Sequence, residues 1–350
     1  MMKSTFFASA SALCLGLVLG LGAGSQARAA ANCTTGDRKP PYSVAWADIY
    51  LAPTWMTQTS NTMHAIADDL KKEGLLKDFQ IQNANGSVPQ QIQQIQAMID
   101  ANTDVIIVDA GSPAALNRVL ASACKKGIAV VSFDSPIDSK DITTKIEVST
   151  KAWGETTAKW LIDKLGGKGK ILVLNGPAGV GVSEARWAEA KKVFDTAPGI
   201  QVLAISNTEY NVAPAEQSVS SLLYSHPEID GIWSQGGALS AGAVLAFERA
   251  GKKVPPITGE DSKQFLKLWQ EKGLTAISVG NPNWMGAMSV LAGVLAQQGK
   301  DVKSPIDVPI PTVTNDTLAA TLERGKDFPD DGFIYPAYTR QSLEDIILGK

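Results

Sequence analysis

The chain has 350 residues, 44% hydrophobic and 19% charged, with 32 Lys+Arg against 35 Asp+Glu for a net charge of −3. This is ordinary globular composition, enough for about two domains. Basic residues cluster no further than pairs such as Lys125-Lys126, so nucleic acid and anionic membranes are poor partners.

Residues 1–31 carry Lys3, then an apolar stretch over 10–24, then small-residue sites at Ala27-Arg28-Ala29 and Ala29-Ala30-Ala31. The pattern predicts a secretory signal peptide cleaved near 29–31. The mature chain is then exported, carries no membrane-inserting segment and is more acidic still. It keeps two cysteines, Cys33 and Cys124, which could either pair as one disulfide or remain inert thiols; pairing would tie the N-terminal extension to a helix of the first domain.

Beyond residue 41, short β-rich runs alternate with helical patterns. Strands are expected over 42–47, 79–83, 105–109, 129–133 and 146–148, then over 170–174, 201–206, 232–234, 256–258 and 275–279. Helices are expected over 56–73, 89–102, 113–126 and 152–165, then over 183–197, 214–225, 239–250, 262–272 and 284–298. The runs VIIVDA and GIAVVSFD are continuously apolar, as strands covered on both faces require. Gly74, Gly127, Gly166 and Gly251 stand at helix C-termini, and Pro89 and Pro214 at helix starts. The alternation predicts an α/β fold with parallel sheets and right-handed crossovers. The halves also repeat one another. Pro89 opens a helix that leads to Asp104 and a strand, and Pro214 opens one that leads to Asp230 and a strand. Duplication predicts two similar lobes with a cleft between them, and ligand at the carboxyl ends of the strands.

Several chemistries find no support. The two histidines, His64 in a helical pattern and His226 in a loop, have no second histidine or cysteine at metal-ligand spacing, and there is no Cys-x-x-Cys and no GxSxG elbow. No metal, cofactor or catalytic residue is implied. Gly176-Pro-Ala-Gly-Val-Gly181-Val182-Ser183 has the spacing of a phosphate-binding P-loop, but Val182 stands where the lysine must be. Its glycines then read as a strand-end loop where backbone approaches a ligand, with Arg186 on the following helix pointing into the cleft.

The strand ends gather polar and aromatic residues suited to a polyhydroxylated ligand. They are Asp48, Tyr50, Thr54 and Trp55 after the first strand, and Asp134-Ser135 after the fourth. The second half offers Arg186-Trp187, Tyr210, Gln235-Gly236, the turn Gly259-Glu260-Asp261, and Asn281 in the hinge region. Carboxylates and guanidinium groups make charge-assisted hydrogen bonds to hydroxyls, and aromatic rings stack on sugar C–H faces. Each also has a plainer reading as turn, cap or core.

The loop Pro53-Thr-Trp55, the strand end Val131-Ser-Phe-Asp134, Gly176…Arg186 and the turn Gly259-Glu-Asp261 resemble, in order and spacing, a type I periplasmic sugar-binding protein of an ABC transporter, the ribose-binding-protein-like family. The resemblance covers 42 to about 311. It implies two Rossmann-like lobes joined by three crossings near Ser149, Gly280 and Ile310. The first lobe would be 32–149 plus 281–310, and the second 150–280 plus 311–350. It implies a periplasmic, monomeric solute-binding protein that closes on a small neutral sugar or polyol and docks on a membrane permease. A sensor for a chemoreceptor or histidine kinase would use the same closed form. A third reading is a sugar-acting enzyme, with Asp134 and Asp261 as one candidate pair. By the resemblance Trp55, Asp134, Arg186, Tyr210 and Asp261 contact ligand. Where ribose binders have Arg, Asn and Gln, this chain has Ser135, Gly236 and Gly280. The expectation is therefore a roomier site for a larger sugar, a polyol or an aromatic-bearing ligand, with Tyr50, Trp187 or Asn281 entering it.

Overall fold

The computed structural model describes residues 33–34, 36–50 and 54–350. The expected signal peptide and Pro53 lie outside the described residues. The first lobe opens with β1 (Tyr42–Asp48), α1 (Thr54–Lys72), β2 (Leu76–Asn83), α2 (Val88–Asp100), β3 (Val105–Val108), α3 (Asn117–Lys125), β4 (Ala129–Phe133) and β5 (Thr144–Val148). The chain then builds the second lobe from α4 (Thr150–Lys164), β6 (Lys168–Asn175), α5 (Gly181–Phe194), β7 (Gly199–Asn207) and α6 (Val212–Ser225). That lobe continues through β8 (Gly231–Ser234), α7 (Gly237–Arg249), β9 (Ile257–Gly259), α8 (Lys263–Lys272) and β10 (Ala276–Val279). The chain returns to the first sheet with α9 (Met285–Gln297) and β11 (Ile306–Val308), then to the second with β12 (Thr312–Val313) and α10 (Asn315–Arg324), and ends in α11 (Arg340–Leu348).

The sheets run β11-β5-β4-β3-β1-β2 and β12-β10-β9-β8-β6-β7. All pairings are parallel except that of β10 with β12. Alternation explains the double coverage of the first sheet. Val105 and Ile107 enter one core with α1 and α9, while Ile106 and Val108 enter another with α2 and α3. Helix α9 is buried along its whole length, with β3, β4 and α1 around it. That explains its apolar sequence on every face.

The internal repeat extends to single hydrogen bonds. Asp104, ahead of β3, accepts from the backbone N–H of Ser43 at 2.7 Å. Asp230, ahead of β8, accepts from the backbone N–H of Lys170 at 2.7 Å. In each lobe a carboxylate thus pins the start of the central strand to its neighbour.

The structure adds β11, β12, α10 and α11, which lie past the last helix expected from sequence. Strands of two or three residues carry too little alternation to be read. It also moves one boundary. The sequence reading gives 311–350 to the second lobe, but α11 packs on α9 of the first, burying Leu343 and Ile347. A short amphipathic helix needs an apolar partner, and α9 supplies one.

Cys33 and Cys124 form a disulfide with Cα atoms 4.5 Å apart, closing a loop of 91 residues' separation and anchoring the N-terminal extension to α3. Chain-entropy arguments put the stabilisation from a loop of that size at about 4–5 kcal/mol as an upper figure. Cys124→Ser should lower the melting temperature by several degrees and abolish sensitivity of the melt to dithiothreitol. Identical melting of wild type with and without reductant would show that the bridge contributes nothing.

Candidate functional site

The carboxyl edge of the first sheet carries three aspartates on neighbouring strands. Asp48 ends β1, Asp109 follows β3 and Asp134 follows β4. Burial raises the carboxyl of Asp48 to about 7, against backbone N–H donors of Tyr50 and Ile49. Asp109 is pushed up by burial and by the charges of Asp134 and Asp48, while Ser135 donates to it and pulls the other way. Asp134 sits at φ 60°, in the left-handed region that asparagine and aspartate tolerate better than most residues. Its Oδ1 accepts from Asn281 Nδ2 at 2.7 Å.

The second lobe brings Arg186 to the same place. Glycine at 154 lets α4 and α5 touch there, since a Cβ would stand 2.6 Å from the carbonyl oxygen of Arg186. The guanidinium is buried, 4.8 Å from the centroid of the Trp153 ring, and its Nη1 donates to Glu260 Oε1 at 2.7 Å. Arg186 Nε has no hydrogen-bond partner. Arg186 and Asp134, from opposite lobes, are close enough for each charge to act on the other. Tyr210, in the loop before α6, is partly buried and desolvation pushes its phenol up to about 12, so it stays neutral. Gln235, following β8, donates to Asn175 Oδ1 at 2.8 Å and to the Ser183 carbonyl at 3.1 Å, leaving its own carbonyl oxygen unpaired. Burial, then the charge of Glu260, raises Asp261 to about 7, and its Oδ1 has no partner.

The hinge joins these groups. Trp55, in the first turn of α1, donates its indole N–H to the Asn281 carbonyl at 2.7 Å. Asn283 Nδ2 donates to the Trp55 carbonyl at 2.7 Å. Asn281 therefore accepts from Trp55 through its main chain and donates to Asp134 through its side chain. Asp48, Ser135, Gln235 and Gly236 also lie at these strand ends.

Other candidates lie elsewhere. Tyr50 is 47% exposed. Trp187 packs on Trp233 and Phe194 within the second lobe, with ring centroids 5.3 and 6.2 Å away. Thr54 Oγ1 donates to Asp331 at 2.7 Å.

This is a two-lobed α/β protein with unpaired polar atoms at the lobe junction, and its sequence from 49 to 301 matches the model of the periplasmic binding protein domain. The chain belongs to that family. It is 28% identical over 250 residues to a xylitol-binding protein of Mycolicibacterium smegmatis, covering 69% of this chain and 70% of that one. It is 26% identical over 252 residues to a D-allose-binding periplasmic protein of Escherichia coli, covering 69% and 81%. An ABC transporter solute-binding protein from Thermobispora bispora superposes with a TM-score of 0.79 at 24% identity, covering 87% and 94%. The family is one of solute-binding proteins, and the site is read as a binding site rather than a catalytic one.

In this periplasmic binding protein the glycines at 236 and 280 have close neighbours. A Cβ at Gly236 would stand 2.9 Å from the Tyr210 ring, and one at Gly176 would overlap the same ring. A Cβ at Gly280 would stand 2.5 Å from Asp261 Oδ2. Tyr210 and Asp261 thus pack directly against these glycines. Asn281 reaches Asp134 at the lobe junction, whereas Tyr50 is exposed and Trp187 packs on Trp233.

Sequence reasoning passed over Asp109 and Asn175. Asp109 ends its strand as Asp134 does and was open to the same rule. Glu260 was visible in the turn, but its partnership with Arg186 depends on the fold.

Asp48 and Asp261 hold their protons up to about pH 7 in the folded chain, against 3.8 for the ordinary group. The folded state binds more protons across that interval, so these groups favour folding below pH 4 and lose that contribution as pH rises to 7. Asp261→Asn should melt above wild type at pH 8, with the difference shrinking as pH falls toward 4. Parallel melting curves for the two proteins across pH 5–8 would contradict the raised carboxyl.

Proposed function

We propose that the protein is the solute-binding component of an ABC importer. It captures a small neutral sugar or polyol between its lobes and presents the closed form to a membrane permease. The observation that carries the reading is the meeting of Asp134 and Arg186 from opposite lobes, with Asn281 and Trp55 of the hinge beside them. Unpaired acceptors on Asp261 and Gln235 and an unpaired donor on Arg186 suit a ligand that offers both hydroxyl hydrogens and hydroxyl oxygens. The names of the relatives, which bind xylitol, D-allose and ribose, point the same way. Trp55, Asp134, Arg186, Tyr210 and Asp261 are proposed to contact the ligand, with Asp48, Gln235 and Asn281 at its edges.

Ligand bonded to both lobes favours the closed state over the open one, and the family hinge then acts as a population switch. Residues 1–31 are proposed as the export signal that delivers the mature chain to the periplasm.

The test is a thermal-shift series with xylitol, ribitol, myo-inositol, D-allose and D-ribose, against amino acids and nucleosides. Ligand at 100 times its Kd should add about 2.7 kcal/mol to stability. A melting shift with amino acids and none with any sugar or polyol would refute the reading. As a site test Asp134→Asn suits better than Arg186→Ala. The alanine leaves Glu260 buried without its cation, which costs about 3–5 kcal/mol of fold stability by itself. Asp134→Asn keeps the shape and should weaken binding of the best ligand by about tenfold or more in calorimetry, as expected for loss of a charge-assisted bond.

A further inference from the structure

Arg186 reaches the lobe junction already engaged. Its Nη1 donates to Glu260 Oε1 at 2.7 Å, and both side chains are buried. Glu260 follows β9, just ahead of Asp261. Its carboxylate is held from a second side as well. Helix α7 starts at Gly237, with Gly236 as its N-cap and no side chain capping it. Burial pushes the Glu260 carboxyl up, while Arg186 and the backbone N–H of Gly237 pull it back toward its charged form. The dipole of α7 favours negative charge at that end too. Glycine at 237 admits this turn, since a Cβ there would overlap Ser262 Oγ and stand 3.1 Å from the Glu260 carbonyl oxygen. Glu260 is thus an anion clamped between α5 and the start of α7.

A buried guanidinium is by itself a receptor for carboxylates, which it takes through paired N–H donors. At this junction that capacity is cancelled. Glu260 and Asp134 both act on Arg186, and both act on Tyr210 beside it. One positive charge therefore faces two negative ones before Asp261 is counted. The hydrogen-bond inventory leans the same way. Gln235 Oε1, Asn281 Oδ1, Asp109 Oδ1 and Asp261 Oδ1 are buried acceptors without a partner, against Arg186 Nε as an unpaired donor. The Tyr210 hydroxyl can serve as either. A ligand hydroxyl brings a hydrogen to such a set, whereas a ligand carboxylate brings acceptors only.

We infer that Glu260 is a specificity-determining residue: by occupying Arg186 it closes the site to sugar acids and leaves it to uncharged polyhydroxylated solutes. The inference rests on the solute-binding reading above and adds the group that enforces it. Choice between a sugar and its acid is a difference of two affinities, and a fixed negative charge beside the cation works against one of the two alone. Removing the charge of Glu260 while keeping its shape frees Arg186 to take a carboxylate.

The test is calorimetry at pH 8 on wild type, Glu260→Gln and Glu260→Asp. The probes are the best neutral ligand of the thermal-shift series and the sugar acids D-xylonate, D-ribonate and D-allonate, all ionised at that pH. Wild type should bind the neutral ligand at least about tenfold tighter than any of the acids. Glu260→Gln should move the ratio of the two affinities by about tenfold or more toward an acid. Glu260→Asp keeps the charge on a shorter arm and should keep the bias against acids, even if it weakens both ligands. A loss of packing alone would weaken neutral ligand and acid alike and leave the ratio where it was. A ratio unmoved by Glu260→Gln would overturn the inference. A wild type that binds an acid as tightly as the neutral ligand would overturn it too, and that comparison needs no variant to fold. If no sugar or polyol binds wild type, the solute reading falls and this inference with it. A neutral ligand bound with the ratio unmoved removes the role of Glu260 alone.

Discussion

The buried guanidinium of Arg186 is the charge around which the rest of the junction is arranged. Taking such a group out of water costs several kcal/mol unless neighbours replace its solvation. Here Glu260 supplies an ion pair, the Trp153 ring supplies a π face, and Asp134 supplies opposite charge from the facing lobe. Each replacement brings a demand of its own. Glu260 must leave the end of β9 in the right direction, Trp153 must lie under α5, and glycine at 154 must let α4 come close enough to put it there. The helix pairing of the second lobe and the polarity of its strand ends are thus consequences of one cation.

The hinge does comparable work for the first lobe. Asn281 and Asn283 lie just past the second crossing, and both engage Trp55, one by accepting and one by donating. Asn281 also fixes Asp134. Rotation of the lobes therefore cannot move Trp55 or Asp134 independently of the hinge.

Much of the fold was legible because parallel strands are buried on both faces. The runs at 105–108 and 129–133 admit no other reading, and the glycine and proline punctuation places the helices between them. The strand-end rule also picked out Asp134, Arg186 and Asp261, which the fold brings to the lobe junction. It failed where the answer lay in packing. A glycine in place of a larger residue reads as space, but Tyr210 and Asp261 pack directly against these glycines. Trp187 follows a site residue in sequence, yet on a helix consecutive side chains diverge by about 100°, and it faces Trp233 instead. The C-terminal region was illegible for another reason. Its peptide at 332–334 is held by partners at 58 and 261–263, and such long-range pairing leaves no local pattern.

The two lobes are alike in fold and unlike in charge. The first presents Asp48, Asp109 and Asp134, and the second presents Arg186 already matched by Glu260, with Asp261 beside it. Closing these edges on one another without ligand buries more carboxylates than cations. The protein meets that cost by letting Asp48 and Asp261 keep protons near neutrality. A polyhydroxylated solute changes the balance, because each hydroxyl can donate to a carboxylate and make ionisation favourable again. Binding should then release protons.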